Sequence, residues 1–427
     1  MRSWRIFGSI AALALASPGW PQASVPLPSA NTRSQPAAAE LAKKTVAEAK
    51  VPGIVIVTGI GDAPPQTIAA GRIAIEPDAP RADADSLWRV YSMTKPITGM
   101  AAMILVEEGK LKLDQPISDF IPAFKDMKVL VDPAKDLTSR PAMRPITVRH
   151  LLTHTAGLGY SIVTKGPLLD EYNRLGINPA QVNALMEPGM RAARPASLEE
   201  FANRVATLPL IADPGARWSY SIGLDVLGRV IEVAGGMPFD QFIHTRIFAP
   251  LKMRDSYWTV PQGKARILAT NYLAPGVAAD LGASSVWLRP PSFPYGGAGL
   301  VMSARDYDRF LHMLLNGGTL EGARILNPET VKLAMSDLLP ASVDRSTLAH
   351  MTADSGAPMG FGAGGSVYLA DKPGGPGKGT YGWAGAAGSI GWVDPVHKLR
   401  ATMMINSFSE QMLKRDASQA IYADLNR

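Results

Sequence analysis

RVYSMTKPIT (residues 89–98) puts a proline directly behind a lysine and four residues past a serine, where an apolar run begins. Inside a helix a proline loses a hydrogen bond and clashes with the preceding turn, but in the first turn it costs little. The run ITGMAAMILV (97–106) reads as a buried helix, so Pro96 sets the start of that helix near Ser92. Ser92 and Lys95 then stand at i and i+3, stacked on one face of the first turn. A hydroxyl and an amine held together at the positive end of a helix are a candidate for nucleophilic chemistry.

The rest of the chain sets the frame for that pair. Its 427 residues are 46% hydrophobic and 19% charged, enough for a large core and two structural units. The 35 prolines and 40 glycines predict many irregular connections, while the apolar content excludes wholesale disorder. The net charge of +6 is scattered, with no basic stripe carrying interleaved aromatics, so no nucleic-acid partner is expected. Residues 1–23 read as an export signal: MRSWR is the basic start, IFGSIAALALA the apolar stretch, and cleavage falls after Ala16 or Ala23. The expectation is a periplasmic or secreted bacterial protein, with no membrane-spanning segment after signal removal. The absence of cysteine excludes disulfides, thiol catalysis and cysteine-ligated metal.

Along the chain, AAAELAKKTVAEAK (37–50) is helical by propensity. VPGIVIVTGI (51–60) is a buried strand, and a second short strand is expected near 66–74. Between about 111 and 288, helical stretches such as SLEEFANRVATL and LDVLGRVIEVAG alternate with Pro/Gly-rich connections. SIGWVDPVHKLRATMMIN (389–406) reads as strand, Asp-Pro turn, strand, and EQMLKRDASQAIYADLN (410–426) as a closing helix. Strands at both ends predict one α/β domain from residues 24–110 and 289–427, with a mostly helical domain, 111–288, inserted.

The chemistry narrows by exclusion. No serine has glycines two positions away on both sides, so a Gly-x-Ser-x-Gly elbow is absent. The six histidines form no His-Glu-x-x-His pattern, and no metal site is expected. A lysine- or tyrosine-based mechanism is left. Ser-x-x-Lys alone is a common pattern; its place at the entrance of an all-apolar helix and the register fixed by Pro96 distinguish this one.

Five segments then occur in order: SMTK (92–95), ITVRHLLTHTAGLGY (146–160), PGARWSYSIGLDVLGRVIE (214–232), GGAGLVMSARDYDRFLHMLLNGG (296–318) and WAGAAGSIGWVDP (383–395). From about residue 40 to its end the chain resembles the family VIII carboxylesterases of the serine β-lactamase-like superfamily, relatives of class C β-lactamases and D,D-peptidases. The resemblance implies a β-lactamase-like α/β fold, an antiparallel sheet with flanking helices built from both chain ends. It makes Ser92 the nucleophile, Lys95 its proton-handling partner and Tyr220, in WSYSI, the general base. Trp383-Ala384-Gly385 stands where the lactamases carry Lys-Thr-Gly, and the N–H groups of Ser92 and Ala386 would form the oxyanion hole. No cofactor is implied.

Two departures bear on substrate. Trp383 replaces the lysine that binds the lactam carboxylate, and Ile222 replaces the asparagine of Tyr-x-Asn. Neither side chain can pair a carboxylate, so the expected partner is a small neutral ester bound by Trp383, Gly385, Ile222 and Tyr160. A cation that would favour Tyr220 phenolate is also missing, which leaves more of that work to Lys95. His150 and His154 are expected to cap or buttress the loop near the site, Asp394 to make a turn, and Met403 and Met404 to fill the core.

The expected reaction is hydrolysis of a short-chain ester through a Ser92 acyl-enzyme. A β-lactamase or D,D-peptidase would want a cation at 383 or a polar group at 222, although weak activity on cephalosporin-like rings is compatible with the pattern. A transacylase would use the same residues. A non-catalytic binding relative would have no need to keep Ser92, Lys95 and Tyr220 together.

Overall fold

The computed structural model describes residues 34–427, so the segment expected to direct export, 1–23, lies outside the described residues. Helix α1 (Pro36–Ala47) starts on Pro36, whose missing N–H costs nothing in a first turn. Strand β1 (Gly53–Ile60) is buried at every residue but the last, and β2 (Gln66–Gly71) alternates half-buried and exposed positions as an edge strand should. Strand β3 (Leu87–Arg89) leads into helix α2 (Thr94–Glu107), with Pro96 as its third residue. Beyond three short helices, Val148–Leu152, Pro167–Arg174 and Glu187–Ala193, come α3 (Leu198–Ala206) and α4 (Gly223–Gly235). Strand β4 (Val301–Ser303) pairs with β3 and runs into α5 (Ala304–Leu315). Strands β5 (Met359–Phe361), β6 (Ser366–Tyr368), β7 (Tyr381–Ala384), β8 (Ile390–Asp394) and β9 (Leu399–Met404) precede the closing helix α6 (Leu413–Leu425).

The main sheet is antiparallel throughout, in the order β5-β6-β7-β8-β9-β1-β2. The two chain ends meet where β1 pairs with β9, Ile56 opposite Met403 and Val57 opposite Thr402. Because successive side chains point to opposite faces, both faces of β1 must be covered. Ile54 and Ile56 pack with Trp392 and Met403 under α1 and α6, while Val55 and Val57 join the core containing α2 and α5. The methionine pair divides the same way, Met403 to one face and Met404 to the other, so both fill core as expected.

Between α2 and β4, helices α3 and α4 pack together and α4 lies against α2. This stretch, expected to be helical, also carries two short antiparallel ladders, Lys128–Leu130 with Ser139–Pro141 and Asn271–Ala274 with Val277–Asp280. The second closes over a Pro275-Gly276 turn, with Gly276 at φ +75°.

Two buried polar groups tie the layers. Arg400 on β9 is fully buried, donates from Nε to Asp308 of α5 at 2.9 Å, and reaches the carbonyls of Gly61 and Ala63 at 2.6 and 3.0 Å. Its guanidinium crosses β1 at Gly59, where any Cβ would overlap it. Asp394 does make the turn expected of it, accepting from the N–H groups of Val396 and His397, but it is fully buried and also accepts from Gly377 N–H and Tyr422 Oη. Burial pushes its carboxyl up, yet these donors outweigh that and hold it below the usual carboxylate range.

Replacing Asp308 with Ala leaves the buried guanidinium without its counter-ion, which should cost roughly 3–5 kcal/mol in urea unfolding. A loss below about 1 kcal/mol would mean that the two carbonyls suffice for Arg400.

Candidate functional site

The site begins where β3 turns into α2. Tyr91 has φ +43°, a conformation that costs a bulky residue about 1–2 kcal/mol. Its side chain secures it: Oη accepts from Asn271 Nδ2 at 2.8 Å, and the ring meets Trp287 edge-on at 5.7 Å. The reversal delivers a single 3₁₀ turn over Tyr91–Met93 and then α2, with Ser92 half-buried at its mouth and Lys95 fully buried as its second residue.

Lys95 Nζ lies 3.2 Å from Ser92 Oγ, as the i, i+3 spacing predicts, and donates to Gly297 O at 2.7 Å. It also sits 4.7 Å from the centre of the Tyr220 ring and 5.6 Å from that of Tyr160. Tyr220 Oη is 2.7 Å from Ser92 Oγ. The tyrosine arrives on the segment before α4, which is pinned by Ser219 N–H to His154 O (2.9 Å) and Ile222 N–H to Gly159 O (3.1 Å). Its ring is clamped by His154, Tyr160, Trp383 and Trp218 at centroid distances of 4.8, 5.5, 5.8 and 6.3 Å. A phenol so packed has one available direction for its hydroxyl.

Trp383 does more than line a wall. Its indole Nε1–H points at Tyr220 Oη from 3.4 Å, a neutral donor on the oxygen that would carry phenolate charge. Trp383 thus supplies a donor to this oxygen, beside the ring contact of Lys95. Gly385 has its N–H on Ser389 O, and a Cβ there would stand 2.5 Å from Val90 O, so only glycine lets β7 lie against the chain leading to Ser92. Ala386 is exposed; its carbonyl accepts from Gln411 Nε2 at 2.8 Å, and its N–H takes no partner among the described residues.

A cavity of about 520 Å³ opens here, with Ser92, Tyr220, Trp383, Gly385 and Ala386 in its wall. Ile222 and Tyr160, expected to bind substrate, are not in that wall. Ile222 is fully buried at the start of α4, and Tyr160 stands behind Tyr220 and over Lys95. Ile162, two residues further on, reaches the cavity.

The histidines take the supporting parts expected of them. His150 closes a capping box with Thr147, and burial and the Arg144 charge bring its imidazole down to about 4. Burial and the Lys95 charge keep His154 neutral. Its Nδ1 accepts from Ser221 N–H at 3.2 Å, which puts the ring proton on Nε2.

Asp225, unforeseen in the sequence, is the nearest thing to a counter-ion for Lys95. It is fully buried in the first turn of α4, takes Gly297 N–H on Oδ1 at 2.8 Å, and leaves Oδ2 unpartnered among the described residues. Gly297 thus touches the carboxyl through its N–H and the ammonium through its C=O. Burial pushes Asp225 up to about 7, against the pull of Lys95 and the Gly297 N–H. The available signal was an aspartate in the first turn of a helix, a common place for any acid. Among the described residues, no group of three or more histidine, aspartate or glutamate side chains could hold a metal ion.

The family described as Beta-lactamase matches residues 38–424. The chain is 35% identical over 350 residues to Protein Rv1367c of Mycobacterium tuberculosis (strain ATCC 25618 / H37Rv), covering 79% of this chain and 81% of that one. It is 32% identical over 350 residues to the esterase EstB of Burkholderia gladioli, covering 77% and 79%. The solved structure of "EstCE1, a hydrolase with promiscuous acyltransferase activity" superposes with a TM-score of 0.70 at 25% identity, over 91% of this chain and 98% of that one.

Asp225→Asn keeps the acceptor for Gly297 N–H and removes the negative charge. With the anion gone the Lys95 ammonium is offset less and acts more fully on Tyr220, so negative charge on the phenol oxygen is favoured and the acidic limb of a kcat/KM–pH profile should move to lower pH. A limb that stays in place would mean that Asp225 exerts no charge on the site.

Proposed function

The chain belongs to the beta-lactamase family and is a serine hydrolase or acyltransferase of it; on that premise we propose that it is a carboxylesterase acting on short-chain esters through a Ser92 acyl-enzyme. One observation carries the reading: a single hydroxyl, Ser92 Oγ, lies within hydrogen-bond reach of both Tyr220 Oη and Lys95 Nζ.

Ser92 Oγ attacks the ester carbonyl as its proton passes to Tyr220, which the buried ammonium of Lys95 and the indole N–H of Trp383 equip to carry negative charge. The oxyanion of the tetrahedral intermediate is received by the N–H groups of Ala386 and Ser92, worth roughly 3–4 kcal/mol each where such donors have been removed. The carbon–oxygen bond to the alcohol then breaks, and the departing alkoxide takes the proton from Tyr220. Water attacks the acyl-enzyme by the same path, giving up its proton through Tyr220 to Ser92. Apolar Trp383 beside the reacting carbon suits a short neutral acyl group. The likeness to EstCE1 favours, as a second reading, an alcohol taking the place of water in the last step.

p-Nitrophenyl butyrate should be hydrolysed, and Ser92→Ala should reduce the rate by about 10³-fold or more. Tyr220→Phe should lower kcat by about 10²–10⁴, whereas Trp383→Phe, which removes only the indole donor, should cost about tenfold. Turnover that survives Ser92→Ala would reduce Ser92 to a helix-start residue and overturn the reading. Hydrolysis of a cephalosporin as fast as of the ester would favour a lactamase instead.

A further inference from the structure

The cavity does not end at Ser92. Strand β6 pairs with β7 only at Ser366–Gly382 and Val367–Tyr381, so the segment from Trp383 to Ala386 is left unpaired on that side. The cavity continues past this free edge to α6, and its far wall is cationic: Lys372, Lys414 and Arg415 line it, against the single carboxylate of Asp354. Lys372 lies beside Gly356, two residues from Asp354. Lys414 and Arg415 stand on α6.

These two cations have little to balance them. Arg415 makes only a loose contact with the neighbouring Asp416 at 3.5 Å, and Glu410, just before α6, is engaged by Ser409 Oγ. Lys414 forms no ion pair among the described residues. Its Nζ donates to Gln411 Oε1, while Gln411 Nε2 holds the carbonyl of Ala386. Lys414 is therefore two hydrogen bonds from the residue whose N–H would receive the oxyanion. Burial brings its ammonium down to about 8, the mark of a cation short of compensation.

We propose that the α6 wall, centred on Lys414, is a subsite for an anionic group, and that the favoured substrate is an ester with a short acyl group near Ser92 and a carboxylate at its far end. The inference rests on the ester-hydrolase reading and narrows it. Trp383 makes the surroundings of the scissile bond apolar, so charge on a substrate has to be held farther out, and α6 supplies cations there. The carboxylate can belong to the alcohol or to the acid, since both extend from the same carbonyl.

Two matched pairs of esters test this: 4-acetoxybenzoate against its methyl ester, and p-nitrophenyl hydrogen glutarate against p-nitrophenyl methyl glutarate. In one pair the anion should exceed its neutral partner in kcat/KM by about tenfold, and about 0.5 M salt should erase the advantage. Lys414→Gln should bring the ratio of anionic to neutral kcat/KM close to one, and Lys414→Arg should retain most of the advantage. The pair that responds tells which side of the ester carries the charge. Neutral esters favoured or equal in both pairs, or a Lys414→Gln variant that keeps the preference, would overturn the subsite. Failure of the enzymatic reading looks different: no ester in either pair would be turned over, or turnover would persist in Ser92→Ala.

Discussion

Everything at the site depends on keeping an ammonium group out of water. Lys95 is fully buried, and a buried charge persists only where it is paired and hydrogen-bonded. The protein meets that requirement with Gly297 O, the faces of Tyr220 and Tyr160, and the carboxyl of Asp225 across the Gly297 peptide. The same partners aim the amine. With Nζ fixed by Gly297 O, its remaining donors face Ser92 Oγ and the Tyr220 ring, so the compensation of the charge and the placing of the Ser92 hydroxyl are one arrangement.

The surrounding fold can be understood as what makes that burial possible. α2 is buried from Thr94 to Leu105, with the sheet on one flank and α4 on another, and only a helix so enclosed can hide a lysine in its first turn. The sheet is closed by pairing the first strand of the chain with the last, and the crossing is locked by Arg400, threaded over Gly59 to Asp308. On the opposite flank, Tyr91 holds the strained reversal by which β3 hands the chain to α2. Backbone strain of that kind persists only where neighbouring side chains over-determine it, and here Asn271 and Trp287 do so.

Around the reacting groups the protein uses aromatic surface in place of charge. Four rings clamp Tyr220, one of them, Trp383, adding an N–H to its oxygen and another being the neutral imidazole of His154. An indole donor exerts a weaker and shorter-ranged pull than an ammonium would, and it leaves the wall beside the scissile bond apolar. In the cavity wall, formal charge lies beyond the free edge of β7, on Lys372 and Asp354 and on Lys414 and Arg415 of α6.

The sequence by itself determined the features that depend on local spacing. Pro96 fixed the helix start and so the Ser92–Lys95 pair, the β-branched run of 51–60 and the alternation in 389–406 marked the strands that join the two chain ends, and the Asp-Pro pair marked a turn. Periodicity and proline sterics act over a few residues, which is why they are legible without a fold. The five ordered segments carried Tyr220 and Trp383 by resemblance. Only the tertiary structure could decide what meets across 128 residues between Ser92 and Tyr220, 163 between Tyr220 and Trp383, or 202 between Lys95 and Gly297. It put Ile222 and Tyr160 behind the cavity wall instead of in it, gave the indole of Trp383 a proton-donor's part, and turned Asp225 from one more acid at a helix start into the neighbour of a buried ammonium. In each case burial and direction made the difference, and neither is encoded in the spacing of residues along the chain.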